Sequence, residues 1–156
     1  MFRLGIGIAI AISALDQLTK WIVLNVVMTP PQTIAITDFF NLVLVANRGI
    51  SFGLLSSDSP WGQPLLIALA LALSAMLVFW LRGADNRLLA GSIGLVLGGA
   101  VGNAIDRVNH GAVIDFLDFY LGAYHWPAFN LADAAIVIGV AAIILEGLFA
   151  GSGKKK

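Results

Sequence analysis

The sequence predicts an all-α membrane protein, a four-transmembrane-helix bundle with a small outward-facing β-rich segment. Three observations carry that expectation. The 156-residue chain is 59% hydrophobic and 12% charged, where a soluble domain holds about 45–50% apolar and about 25% charged residues. Four apolar stretches are each long enough to cross a bilayer, whose hydrocarbon core of about 30 Å takes about 20 helical residues. Between the first two lies a segment whose alternation suits strands. Mean hydropathy is +0.92, in keeping with a surface that faces lipid. The absence of cysteine excludes disulfides, thiolate metal sites and a thiol nucleophile. No basic cluster points to nucleic acid.

The expected spans, within one integral membrane domain covering 1–156, lie at about 4–28, 62–81, 88–105 and 131–149. The first is interrupted by Asp16 and Lys20 but continues to Met28, and no small-x-small cleavage site stands out, so it reads as a retained helix. Leu65 to Leu81 has Ser74 as its one polar member, with Trp61 and Trp80 beside it as interface anchors. The third span is rich in glycine, with Gly94, Gly98 and Gly102 at the four-residue spacing that lets membrane helices approach closely.

Pro30-Pro31 ends the first span. The outward segment 29–61 then holds the alternating Thr33 to Thr37, a β-prone Asn41 to Ala46 and an Asn47-Arg48-Gly49 turn. A small sheet lying on the membrane is expected there, with Ile50 to Leu55 in the interface or packed on the helix tops. If all four stretches span, Arg3, Arg82, Arg87 and Lys154 to Lys156 share one side, against Arg48 and Arg107 on the other. The positive-inside rule then makes both termini cytoplasmic.

Charges inside a span cost about 2.5–3.5 kcal/mol each even on lenient scales, so each asks for an explanation. Asp16 and Lys20, four apart on one helical face, can form a structural ion pair; a proton path or an activated nucleophile is the other reading. Asn103, Asp106, Arg107 and His110 share one face as the third helix leaves the membrane, as a capping and ion-pair cluster or as part of a site. Asp115 and Asp118 sit among large apolar residues, and Asn130 and Asp133 at the start of the fourth helix. Asn130 can be an N-cap and Asp133 a favourable first-turn charge. By topology, however, Asp115, Asn130 and Asp133 meet at one membrane face, where two carboxyls could share a proton as an aspartic protease requires. The serines lack a Gly-x-Ser-x-Gly setting, and His110 and His125 lack the His-Glu-x-x-His spacing of a zinc site.

These residues resemble the lipoprotein signal peptidases, also called signal peptidase II. Five blocks in order carry the likeness: Asp16 to Lys20, Asn47 to Gly53, Gly98 to Arg107, Val113 to Phe119 and Phe129 to Asp133. The resemblance implies an intramembrane aspartic endopeptidase of the bacterial cytoplasmic (inner) membrane, acting near the outer face. Such enzymes remove signal peptides from diacylglyceryl-modified prolipoproteins before the lipidated cysteine, without metal or organic cofactor. It implies Asp115 and Asp133 as the catalytic pair, and Asn47, Asn103, Arg107 and Asn130 as residues lining the site for substrate and peptide-like inhibitors. Asp16 and Lys20 become structural support, with Asp106 either support or a rival for a catalytic part. Membrane lipids are the other expected partners. The competing function is a small proton-coupled transporter or channel subunit using the intramembrane charges, although the chain shows none of the paired repeats many transporters have. A non-catalytic assembly factor is a third.

Overall fold

In the computed structural model, the described residues are 1–49 and 61–152. The expected interfacial run Ile50 to Leu55 and the terminal lysines lie outside them. Four helices are long and apolar enough to cross a membrane. α1 (Phe2–Ile22) continues through a π-helical turn at Val23–Val27, and α2 (Gly62–Arg82), α3 (Arg87–His110) and α4 (Leu131–Ser152) follow. Among the described residues there are also four strands: β1 (Ile34–Thr37), β2 (Phe40–Asn47), β3 (Val113–Leu121) and β4 (Tyr124–His125).

α3 is the central helix, more than half buried where the other three are mostly exposed. Its small residues permit this. A Cβ at Gly98 would lie 2.7 Å from the Ala9 carbonyl oxygen, and one at Gly99 would collide with the Ala132 carbonyl, so α1 and α4 both seat against the α3 backbone. Ser13 Oγ donates to the Gly98 carbonyl at 2.8 Å across the same seam. Ala9, Leu77, Leu81, Ala90, Ile93 and Leu97 form the bundle core. Phe79, Leu71 and Ile144 point outward, as they should where the solvent is lipid.

Local signals end the helices. Asn86 caps α3 by accepting from the Leu89 backbone N–H at 2.8 Å. At the other end Gly111, at φ 66°, takes the left-handed turn that stops α3 at His110. α3 thus runs five residues past the span expected from hydropathy, and those residues carry the polar face toward the site.

The sheet is antiparallel throughout, in the order β1-β2-β3-β4. It is not confined to the 29–61 segment: half of its strands come from the connection between α3 and α4. Both connections therefore meet at one end of the bundle. Register pairs Val45 with Asp115, Asn47 with Val113 and Phe40 with Phe119. Phe116, Val23 and Met28 make a second apolar cluster that seats the sheet on the end of α1. β3 is flanked on its other side by β4 and by Phe129, which pairs with Leu117. That last bridge sets Asn130 beside Asp115.

Candidate active site

A buried charged hub lies beneath the sheet. Lys20 Nζ donates to Asp16 Oδ2 at 2.7 Å, to Asp106 Oδ2 at 2.8 Å and to Asn103 Oδ1 at 3.2 Å. All three donors of the ammonium are thereby used. Asp16 Oδ1 accepts the Ala132 backbone N–H at 3.0 Å, and Asp106 Oδ2 accepts that of Ile114 at 3.0 Å. Gln17 Nε2 donates to Asp106 Oδ1 at 2.8 Å. The i,i+4 pair of α1 is thus half of a triad, whose carboxylates pin two backbones: the first turn of α4, one residue before Asp133, and the start of β3, one residue before Asp115. Asp106 has every contact of a clamp.

Above the hub stand Asp115 and Asp133. Asp115 is 1% exposed; Asp133, in the first turn of α4, is partly exposed. Asn130 Nδ2 donates to Asp115 Oδ1 at 2.7 Å, while Asn130 Oδ1 accepts the Asp133 backbone N–H at 3.0 Å. Asp133 Oδ2 returns the contact by accepting the Asn130 backbone N–H at 3.2 Å, a reciprocal arrangement like a capping box. Asn103 Nδ2 donates to Asp133 Oδ1 at 2.8 Å, and Asn47 Nδ2 to Asp115 Oδ2 at 2.9 Å. Burial pushes the Asp115 carboxyl up to about 6, and the charge of Asp133 adds to it. Hydrogen bonds from Asn47 and Asn130 and the charge of Lys20 act the other way. Two carboxyls so placed do not both ionise at low cost, and one that keeps its proton beside one that accepts can run acid–base chemistry on a carbonyl and a water.

The remaining expected site residues fall at this end of the molecule in different roles. Asn103 and Asn130 are buried, and their amides are committed to the two carboxylates. Asn47 is exposed and also binds the Gly49 backbone N–H at 3.1 Å, closing the turn read from sequence. Arg107 donates to the Asn103 carbonyl at 3.2 Å, and its buried Nε has no hydrogen-bond partner among the described residues. It senses the charges of Asp133, Asp106 and Asp115. His110, the last residue of α3, is exposed.

Asp118, on the opposite face of β3 from Asp115, belongs to another cluster. It accepts from Asn41 Nδ2 at 2.9 Å and pairs with His125 Nδ1 at 2.9 Å. Burial alone would raise Asp118, but those two hydrogen bonds outweigh it and hold the carboxyl below the ordinary range. Among the described residues, no group of three or more His, Asp or Glu is arranged to hold a metal ion.

Comparison with known proteins agrees along the chain. Residues 8–149 match the family model described as signal peptidase (SPase) II. The lipoprotein signal peptidase of Burkholderia cenocepacia is 48% identical over 144 residues, 92% of this chain and 86% of that one. That of Methylorubrum extorquens is 46% identical over 150 residues, 94% and 86% of the two chains. A bacterial membrane enzyme solved by the in meso method at 2.3 Å superposes with a TM-score of 0.82 at 32% identity, covering 97% of this chain and 92% of its own. A second, at 1.9 Å, gives 0.79 at 31% identity, with 97% and 94% covered.

Proposed function

The chain belongs to the signal peptidase II family, proteases that remove signal peptides from prolipoproteins, and we propose that Asp115 and Asp133 are its catalytic pair. One observation carries this reading: a single side chain, Asn130, hydrogen-bonds both residues and holds a buried carboxyl beside one that reaches solvent. The ionised member takes a proton from water as that water attacks the scissile carbonyl carbon. The protonated member gives its proton to the carbonyl oxygen; the tetrahedral adduct then collapses as the first carboxyl passes the water's proton to the amide nitrogen, the second takes back a hydroxyl proton, and the C–N bond breaks to release the amine. The hub supports reading Asp16, Lys20 and Asp106 as structural support, and the family match favours a protease over a proton-coupled transporter.

The position of the pair fits the substrate class that the family implies. A diacylglyceryl-modified precursor stays in the bilayer, so carboxyls at the polar end of a lipid-facing bundle meet its scissile bond, before the lipidated cysteine, without extracting it. An apolar groove of about 840 Å³ between α1, α2 and α3, bounded by Ile10, Val78 and Leu97 with Gln17 at its polar end, offers room for apolar parts of substrate or lipid. Asn47 and Arg107 are the polar contacts for the peptide, or for a peptide-like inhibitor. Arg3, Arg82 and Arg87 mark the end away from the sheet. The positive-inside rule supports a multi-pass protein of the bacterial cytoplasmic membrane with cytoplasmic termini and its site near the outer face. The test is cleavage of a diacylglyceryl precursor peptide: Asp115→Asn and Asp133→Asn are each expected to abolish it while inserting and folding normally. Full activity in either variant refutes the assignment.

A further inference from the structure

We propose that Lys20, acting through Asn103, is a positioning residue for the reaction, because it fixes the amide that holds the Asp133 carboxyl in place within the pair. This rests on the assignment of Asp115 and Asp133 given above. The chain of contacts is continuous. Lys20 Nζ donates to Asn103 Oδ1 at 3.2 Å, and Asn103 Nδ2 donates to Asp133 Oδ1 at 2.8 Å. An ammonium can only donate, so the oxygen of Asn103 must face it and the amide nitrogen must face Asp133. Asn130 Nδ2 reinforces that orientation by donating to the same Asn103 oxygen at 3.3 Å. Turning the amide over would set its N–H groups against an ammonium and its oxygen against a carboxylate, two repulsions in a buried site.

The consequence is geometric. With Asn103 locked, Asp133 receives one donor on each oxygen, from Asn103 and from the Asn130 backbone. Those donors fix its carboxyl relative to Asp115, whose two oxygens are held by Asn130 and Asn47. The charged groups around Asp133 are Lys20 and Asp16 on α1, Asp106 and Arg107 on α3, and Asp115 on β3. Of the two cations, Lys20 is committed to the hub on every donor, whereas Arg107 keeps a buried Nε unpartnered among the described residues. Only Lys20 is tied to the orientation of the Asn103 side chain.

The experiment is a double-mutant cycle on the full-length protein in detergent, with a diacylglyceryl precursor peptide as substrate. Asn103→Ala leaves the Asp16–Lys20–Asp106 hub intact. It is expected to lower kcat at least about 30-fold with KM nearly unchanged, beyond what its folded fraction accounts for. Lys20→Met is expected to do the same, and the double variant to lose little more than either single one, because both cut one path. If Lys20→Met does not fold, Lys20→Met combined with Asp106→Asn, which removes a second buried charge, takes its place in the cycle. Unchanged kcat, or a loss confined to KM, overturns the proposal. Losses that multiply in the double variant, or a Lys20→Met loss that only follows its folded fraction, overturn it as well. The failure of the pair itself is separate: it shows as activity retained in Asp115→Asn or Asp133→Asn.

Discussion

Asn130 joins Asp115 and the first turn of α4 through one buried amide: its nitrogen lies 2.7 Å from Asp115 Oδ1 and its oxygen 3.0 Å from the backbone nitrogen of Asp133. The residue is 0% exposed. It serves as helix cap and site builder at once, which ties the stability of α4 to the geometry of the two carboxyls.

Asn130→Ala is therefore expected to remove both functions. Loss of the cap costs about 1 kcal/mol, and the buried Asp115 oxygen left without its donor adds about 1–3 kcal/mol. Thermal unfolding in detergent should show the sum, and cleavage should fall by more than the folded fraction accounts for. A variant with a lowered Tm but wild-type kcat would limit Asn130 to a cap.

The raised carboxyl of Asp115 predicts a pH dependence of stability. Its folded value of about 6 lies above the ordinary carboxylate range, so the folded state binds the proton more tightly. Stability is then full below about 4 and declines as pH rises through about 6, by an amount on the order of 3 kcal/mol. Asp115→Asn cannot ionise and should escape that decline. Its Tm advantage over wild type should be larger at about pH 7.5 than at about pH 4, and an equal difference at both would show that Asp115 titrates normally.

Asp118 provides the contrast on the same strand. It faces Asn41 and His125 rather than Asp133, so Asp118→Asn should keep most of its cleavage activity. Abolished activity in a folded Asp118→Asn protein would mean that the site extends across the sheet.

The glycine seam can be tested with one methyl group. Gly99→Ala sets a Cβ against the Ala132 carbonyl and Ile136 of α4, whereas a Cβ at Gly7 meets nothing within 4 Å. Overpacking predicts a loss of about 1–3 kcal/mol for Gly99→Ala. Gly7→Ala, a helical site with free space, should be neutral or slightly stabilising. Comparable melting temperatures for the two would contradict the close approach of α3 and α4.

Because the chain has no native cysteine, orientation can be read by labelling. A membrane-impermeant maleimide should modify Tyr124→Cys, on the exposed β4, in intact cells. It should reach Asp85→Cys, in the exposed turn between α2 and α3, only after permeabilisation. The opposite pattern would invert the topology.

Much of this molecule is legible along the chain because its determinants are local. Hydropathy over about 20 residues identifies a membrane helix wherever it packs. The Asp16–Lys20 pair and the Asn130–Asp133 cap join residues four and three apart, so helical geometry alone makes them neighbours. The 113–119 run was harder to read: carboxylates three apart, at Asp115 and Asp118, break the period-two pattern by which a strand declares itself. In the sheet they occupy opposite faces, each with its own partners. The residues by themselves bring Asp115 and Asp133 to one membrane face as a candidate acid pair, against a first-turn charge as the competing reading of Asp133, and the family resemblance points to the same two residues.

The tertiary structure alone decided which distant groups share a partner. Asp106 lies on Lys20, Asn41 on Asp118, and Asn103 and Asn130 bridge to the carboxylates from two different helix ends. No periodicity encodes such contacts. They follow from packing α1 and α4 against the bare backbone of α3 and from the register of β2 on β3. Most buried donors and acceptors of the site then find their partner within the protein, and the packing leaves each one few to choose from.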